Sequence, residues 1–239
     1  MLFSSSAFLQ RRARESFASQ RRFPCRNSHK YKPSKVYYNI QMLIFVLAFL
    51  IAITIHEAAH AFVADKLGDP SPRLAGRLTL NPIAHIDLYG TVLVPFLLLF
   101  IGSPFVFGWA KPVPVDPYNL AHPKKDSALI SFAGPLVNIL LATALAILFK
   151  FGLGNELTLA LIRFNVVLAV FNLIPVHPLD GSKVLIGLLP TKEGNELDAF
   201  LNRYGMILLL FLIFPLFGGV SLLSQIISPI INSILTLLL

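Results

Sequence analysis

The chain has little charge and almost no cysteine. Asp, Glu, Lys and Arg make up 13% of its 239 residues, against 55% hydrophobic residues and a mean hydropathy of +0.71. A soluble domain of this length needs far more polar surface, so that class is excluded. The one cysteine, Cys25, excludes a disulfide framework and a thiolate metal cluster. Internal repeats are also missing, which removes the paired half-sequences that many transporters carry. What the chain does have is long apolar runs, at 40–55, 136–149, 157–174 and most of 206–239. A bilayer core takes about 20 apolar residues per helix. The runs predict an all-α polytopic membrane protein, with about five transmembrane helices, a re-entrant segment and short extended loops.

The net charge of +8 belongs to one end. Residues 1–41 hold nine Lys and Arg and a single acid, Glu15, whereas the remainder carries eleven bases and eleven acids. This basic segment is rich in Ser and Arg and has no long apolar stretch. It reads as a disordered tail or a targeting segment, closer to an organellar transit peptide than to a secretory signal. A lipid-binding arm and sequence that is not natively translated are the other readings. Nucleic acid is not an expected partner, since no binding fold accompanies the charge. The functional core is placed at 42–205, with C-terminal membrane helices at 206–239.

Breakers divide the core. Gly68-Asp69-Pro70, Pro72, Gly76 and Asn81-Pro82 mark a loop after the first segment, 40–64. The apolar stretch 89–107 is cut by Gly90, Pro95 and Gly102-Ser103-Pro104, and reads as a re-entrant dip. Closely spaced prolines make 109–115 extended chain. Helical segments follow at 127–150 and 157–174, then a polar stretch, 191–203.

The first segment contains His56-Glu57-Ala58-Ala59-His60. On a helix, histidines spaced i, i+4 project from one face and can share a metal, and Glu57 beside them can take a proton from water held there. Ionisable side chains at membrane depth cost on the order of 3 kcal/mol each, and they mark function by default. The bland alternative is three polar groups satisfied by neighbouring helices or interfacial water. Two histidines leave a catalytic zinc one protein ligand short. Asp180 is the best candidate for the third: Pro175 and Pro178 break the helix before it, and Gly181 flanks it. An Asp at an ordinary turn is the competing reading. Asn138 and Asn165 read as interhelical hydrogen-bond formers, Gly134 as a site of close helix packing, and His85 and His122 as loop histidines.

Together with Ala133-Gly134-Pro135-Leu136, Phe171-Asn172-Leu173-Ile174-Pro175 and Pro178-Leu179-Asp180-Gly181, the His-Glu-Ala-Ala-His run resembles the site-2 protease family of intramembrane zinc metalloproteases. The resemblance covers 42–205 and fits the short form without a PDZ domain. It implies one Zn2+ per chain held by His56, His60 and Asp180, with Glu57 as general base. It also implies that Asn172 is a polar group near the substrate or the developing oxyanion. His177 stands where the family has an apolar residue or proline and is read as a turn residue.

The expected partners are membrane-protein substrates and the lipid bilayer, and the expected place is a bacterial cell membrane. An organellar inner membrane is the alternative if 1–41 is a transit peptide. The 109–115 segment would serve either as an edge for an unwound substrate or as a cover over the site. A membrane metal-ion transporter and a catalytically inactive membrane scaffold are the rival functions.

Overall fold

A computed structural model describes residues 35–100, 108–214 and 221–239. Among them every element is helical and none is a strand. Most of the basic tail, the end of the 89–107 stretch, and the Pro215 and Gly218-Gly219 break lie outside the described residues.

The chain runs as α1 (Lys35–Lys66), α2 (Ser71–Leu74), a 3-10 turn (Pro82–His85), a π-helical turn (Leu88–Leu93) leading into α3 (Val94–Phe100), a 3-10 turn (Pro117–Asn119), α4 (Pro123–Lys150), α5 (Glu156–Asn172), α6 (Asp180–Leu188), α7 (Thr191–Ile213) and α8 (Leu222–Leu238). Two stretches, Asn39–Lys66 in α1 and Pro123–Lys150 in α4, are long and apolar enough to cross a membrane. α5 and α8 are apolar but reach only 17 residues each. Within the described part of the 89–107 stretch, the π turn and α3 hold 6 and 7 residues, roughly 20 Å of rise.

The polar stretch 191–203 is helical. It is the first half of α7, which continues unbroken through Gly205 to Ile213. Its charged residues suit a helix whose outer face meets water. Nor is Asp180 in a loop, because it opens the short helix α6, with Leu179 as N-cap. A carboxylate in a first helical turn is favoured by the backbone dipole.

A buried stripe of three alanines and two histidines on α1 sets the register of the core. Ala48, Ala52, His56, His60 and Ala64 recur every fourth position of α1 and are all buried. Small side chains let helix backbones approach closely, which is how helices associate where lipid offers no hydrophobic drive. α4 lies against this stripe and runs antiparallel to it, since His60 meets Ile130 while His56 and Ala52 meet Asn138. α5 returns along both, with Asn165 against Asn138 and Phe164 edge-on to Phe45 and Phe49 of α1. Behind this trio, Ile162 and Val166 of α5 pack with Ala142 and Ala146 of α4 and with Leu223, Ile227 and Ile231 of α8.

Two buried ions tie the loops beyond α1 together. Arg77 donates to the carbonyls of Ala84 and Lys111. Asp69 is fully buried and accepts from Ser71 N at 3.0 Å, Asp116 N at 2.8 Å and Asn119 Nδ2 at 2.9 Å. Burial opposes ionisation of Asp69, but these hydrogen bonds outweigh it and hold the carboxyl below its ordinary value. A lowered folded value means that the stabilisation is present above the unfolded value, about 4, and is lost as pH falls through the folded one. Asp69→Asn should therefore cost about 1–3 kcal/mol at neutral pH, because an amide cannot accept all three donors. Thermal melts from pH 7 to pH 3 check this: the gap between wild type and variant should narrow below about pH 4. A gap independent of pH would contradict it.

Candidate metal centre

His56 and His60 stand in the last third of α1, with rings edge to face and centroids 4.6 Å apart. Both are buried, at 3% and 7% exposure. Asp180 reaches them from α6, its Oδ2 lying 3.1 Å from His56 Nε2 and 3.3 Å from His60 Nε2. The three ligand atoms fall within 4.8 Å of one another. Residues 124 positions apart in sequence thus meet at one point, with Glu57 part-buried beside His56 on the same helix.

The hydrogen bonds around the imidazoles decide which nitrogens are free. His60 Nδ1 lies 2.7 Å from the Ile130 carbonyl, which can only accept, so Nδ1 carries the proton. His56 Nδ1 lies 2.8 Å from Asn138 Oδ1. That amide is oriented by its own donations, from Nδ2 to Asn165 Oδ1 at 2.8 Å and to the Ala52 carbonyl at 3.3 Å. His56 Nδ1 therefore also carries a proton. Neutral imidazoles protonated at Nδ1 present both Nε2 lone pairs to the carboxylate oxygen. Three acceptors facing one another need a shared proton or a metal cation between them. Two imidazole nitrogens and one carboxylate oxygen, with no sulfur, form a donor set that suits zinc and leaves a fourth position open.

Small residues make room for this convergence. A Cβ on Gly134 of α4 would sit 2.5 Å from His60 Nε2 and 2.6 Å from His56 Cε1. The close packing expected at Gly134 is thus between the α4 backbone and the two histidines. One residue on, Pro135 withholds the N–H that the Ser131 carbonyl would accept. On the other side, a Cβ on Gly181 would strike the carbonyls of Leu173 and Ile174, so α6 starts pressed under the end of α5. The far end of α6 is held by Lys124, whose Nζ donates to the carbonyls of Leu189 at 2.6 Å and Pro190 at 2.9 Å. Asp180 is therefore placed by contacts at both ends of its helix.

Other sequence expectations fall elsewhere. Asn172 is the last residue of α5, where one amide N–H goes to the Leu168 carbonyl at 3.0 Å. It makes no hydrogen bond to His56, His60 or Asp180. His177 packs its backbone and Cβ where a Cβ on Gly205 would stand, as suits a turn residue. His85 lies in a short helical turn but is buried, donating from Nε2 to the Thr79 carbonyl at 2.9 Å. His122 is the exposed N-cap of α4. In the 109–115 segment, Trp109 N and Lys111 N are already bonded to the Gly90 and His85 carbonyls, so that edge is partly spent inside the molecule. The Ile130 carbonyl, a backbone group, left no signal in the sequence.

The comparisons with known proteins point the same way. The sequence profile of peptidase family M50 matches residues 154–214, which include Asp180. YwhC of Bacillus subtilis, which carries the provisional name zinc metalloprotease, is 34% identical over 212 residues, covering 83% of this chain and 90% of YwhC. Zinc metalloprotease MJ0392 of Methanocaldococcus jannaschii is 30% identical over 156 residues, covering 64% of this chain and 36% of that protein. Rip2 of Mycolicibacterium smegmatis, also provisionally named a zinc metalloprotease, is 29% identical over 151 residues, 58% of this chain and 54% of Rip2. No solved structure is a significant match. The chain belongs to peptidase family M50, the site-2 protease family, whose members are membrane proteins and whose metal is zinc.

Gly134→Ala tests the crowding. On helix propensity alone the change would stabilise α4 by about 1 kcal/mol. The new methyl instead has to displace imidazoles pinned by Ile130 and Asn138. Zinc retained after dialysis against a weak chelator should fall by at least about 10-fold in affinity, the scale on which outer partners of metal ligands act. Unchanged zinc affinity would show that the two histidines do not need this approach.

Proposed function

We propose that this protein is an intramembrane zinc endopeptidase that hydrolyses peptide bonds in or near the transmembrane segments of other membrane proteins. One observation carries the reading: Nε2 of His56, Nε2 of His60 and a carboxylate oxygen of Asp180 converge within 4.8 Å in an apolar chain, beside the part-buried Glu57. When bound, zinc supplies Lewis acidity, polarising a carbonyl and acidifying water towards a pKa of about 7. His56 and His60 contribute neutral nitrogens and Asp180 one negative charge, so the protein removes only part of the metal's positive charge. Glu57 accepts the proton that the attacking water gives up and returns it to the leaving amine. Asn172 keeps one amide N–H beyond its bond to Leu168, and that N–H is the donor assigned to the developing oxyanion. A substrate helix hides its carbonyls in i→i−4 bonds, so it has to unwind locally before attack.

The working core is placed at about 42–205, although α7 (Thr191–Ile213) runs across its far edge into the C-terminal membrane segment and α1 begins at Lys35, within the last residues of the 1–41 tail. The site end of the helices carries Lys66, Arg73, Arg77, Lys111, Lys124, Lys125, Lys183, Lys192 and Arg203, whereas Lys150 lies at the opposite end. By the positive-inside tendency that end faces the cytosol, or the matrix or stroma of an organelle. With Cys25 replaced by serine, single cysteines at Ser71 and Ser127 should label from the same side. Labelling from opposite sides would refute a re-entrant 89–107 stretch.

Glu57→Gln is the decisive variant for the chemistry. It keeps the side chain's shape and leaves the three metal-facing residues untouched. Cleavage of a membrane-spanning peptide in liposomes should fall by about 10²–10⁴-fold while bound zinc stays near one per chain. Asp180→Asn should lose the metal itself. Full cleavage by Glu57→Gln would end the protease reading, and activity lost with zinc retained excludes an inert scaffold.

A further inference from the structure

Two asparagines behind the site form a one-way chain of hydrogen bonds. Asn165 Nδ2 donates to the Leu161 carbonyl of its own helix at 2.8 Å. Asn165 Oδ1 accepts from Asn138 Nδ2 at 2.8 Å, and Asn138 Oδ1 accepts from His56 Nδ1 at 2.8 Å. Both amides have no exposed surface. The donors run from His56 on α1 through Asn138 on α4 to the backbone of α5, and Asn138 Nδ2 also donates to the Ala52 carbonyl of α1 at 3.3 Å. Asn165 has no freedom to turn its amide round, because a reversed oxygen would face the Leu161 carbonyl and a reversed N–H would face Asn138 Nδ2. Asn138 in turn cannot reverse without aiming N–H groups at the His56 N–H. The direction of the chain is therefore set by the Leu161 carbonyl through Asn165, with the Ala52 carbonyl holding Asn138 the same way round.

We infer that Asn165 is a positioning residue for the metal site, acting through Asn138 to hold His56 in the tautomer whose Nε2 is free to bind zinc. The inference rests on the assignment of His56, His60 and Asp180 as the zinc ligands, and it extends that site two hydrogen bonds outward. A histidine that can donate only from Nδ1 is a better Nε2 ligand than one free to exchange tautomers or rotate. The chain also links the helix that carries the histidines to the helix whose end leads to Asp180. The same two amides thus fix both the ring and the spacing between ligand-bearing helices. A merely structural pair would strengthen helix packing without touching the metal.

The test is a double-mutant cycle read in zinc affinity, measured by chelator competition on the full chain in detergent. Thermal stability of the metal-free protein is measured alongside. Asn138→Leu should raise the zinc Kd by about 10–100-fold, the range for outer partners of metal ligands. Asn165→Leu should raise it by about 10-fold in the wild-type background and leave it unchanged when Asn138 is already leucine. Zinc effects that add across the cycle, or an Asn165→Leu protein with wild-type Kd and lowered metal-free stability, would overturn the inference. If Asn138→Leu does not fold, the cycle is run on Asn138→Asp. That side chain keeps the acceptor for His56 but has no N–H for Asn165, so Asn165→Leu must again be silent for zinc. Failure of the wild type to bind one zinc, or binding that survives Asp180→Asn and both histidine replacements, would instead overturn the ligand assignment itself.

Discussion

The bond from His60 Nδ1 to the Ile130 carbonyl, with its counterpart from His56 to Asn138, is the constraint on which the rest of the arrangement depends. Each bond spends one imidazole N–H on α4 and leaves the opposite nitrogen bare. That fixes the depth at which α4 lies against α1, and the alanine stripe on α1 lets it lie there. Two lone pairs turned into one space call for a cation there, and an anionic third group completes its ligands. Asp180 is brought to that space by a helix that begins at the residue itself.

Buried polar groups in an apolar chain are costly unless each finds a partner. Here they are gathered, not scattered. The amides of Asn138 and Asn165 are used by His56, by each other and by backbone carbonyls. Outside the bundle the same economy governs Asp69 and Arg77, which hold the loops after α1 by backbone and amide hydrogen bonds. Their loops bring Trp109 against Gly90, where an added Cβ would collide with the indole ring.

Much of the site was legible in the sequence because its chemistry is written in side chains with fixed spacing. His56 and His60 at i, i+4, and a carboxylate after a proline-broken helix, point to each other before any fold is known. The helices at 40–64, 127–150 and 157–174 were legible as apolar runs, and α1, α4 and α5 cover them with ends differing by a few residues. Less legible was the 180–203 region. Asp180 opens a helix, and the polar residues from Thr191 are helical, because helix geometry tolerates a run of charges where one side meets water. The role of Gly134 was legible only as close packing; that the neighbour is a pair of imidazoles depends on α4's register. Asn138 could be read as a helix-to-helix hydrogen bonder, but not as the partner of His56, since that needs the three-helix contact. The Ile130 carbonyl belongs to the backbone and is invisible to any reading of residue types.

The central claim is that one zinc is held by two imidazoles and one carboxylate. X-ray absorption at the zinc edge of the purified protein tests it most directly. The account predicts about one zinc per chain in a shell of nitrogen and oxygen only, at about 2.0–2.2 Å, with the outer scattering of two imidazole rings. That pattern should collapse in Asp180→Asn and in either histidine variant. A sulfur shell at about 2.3 Å, which in this chain means Cys25, or a spectrum unchanged by loss of His56, would contradict it.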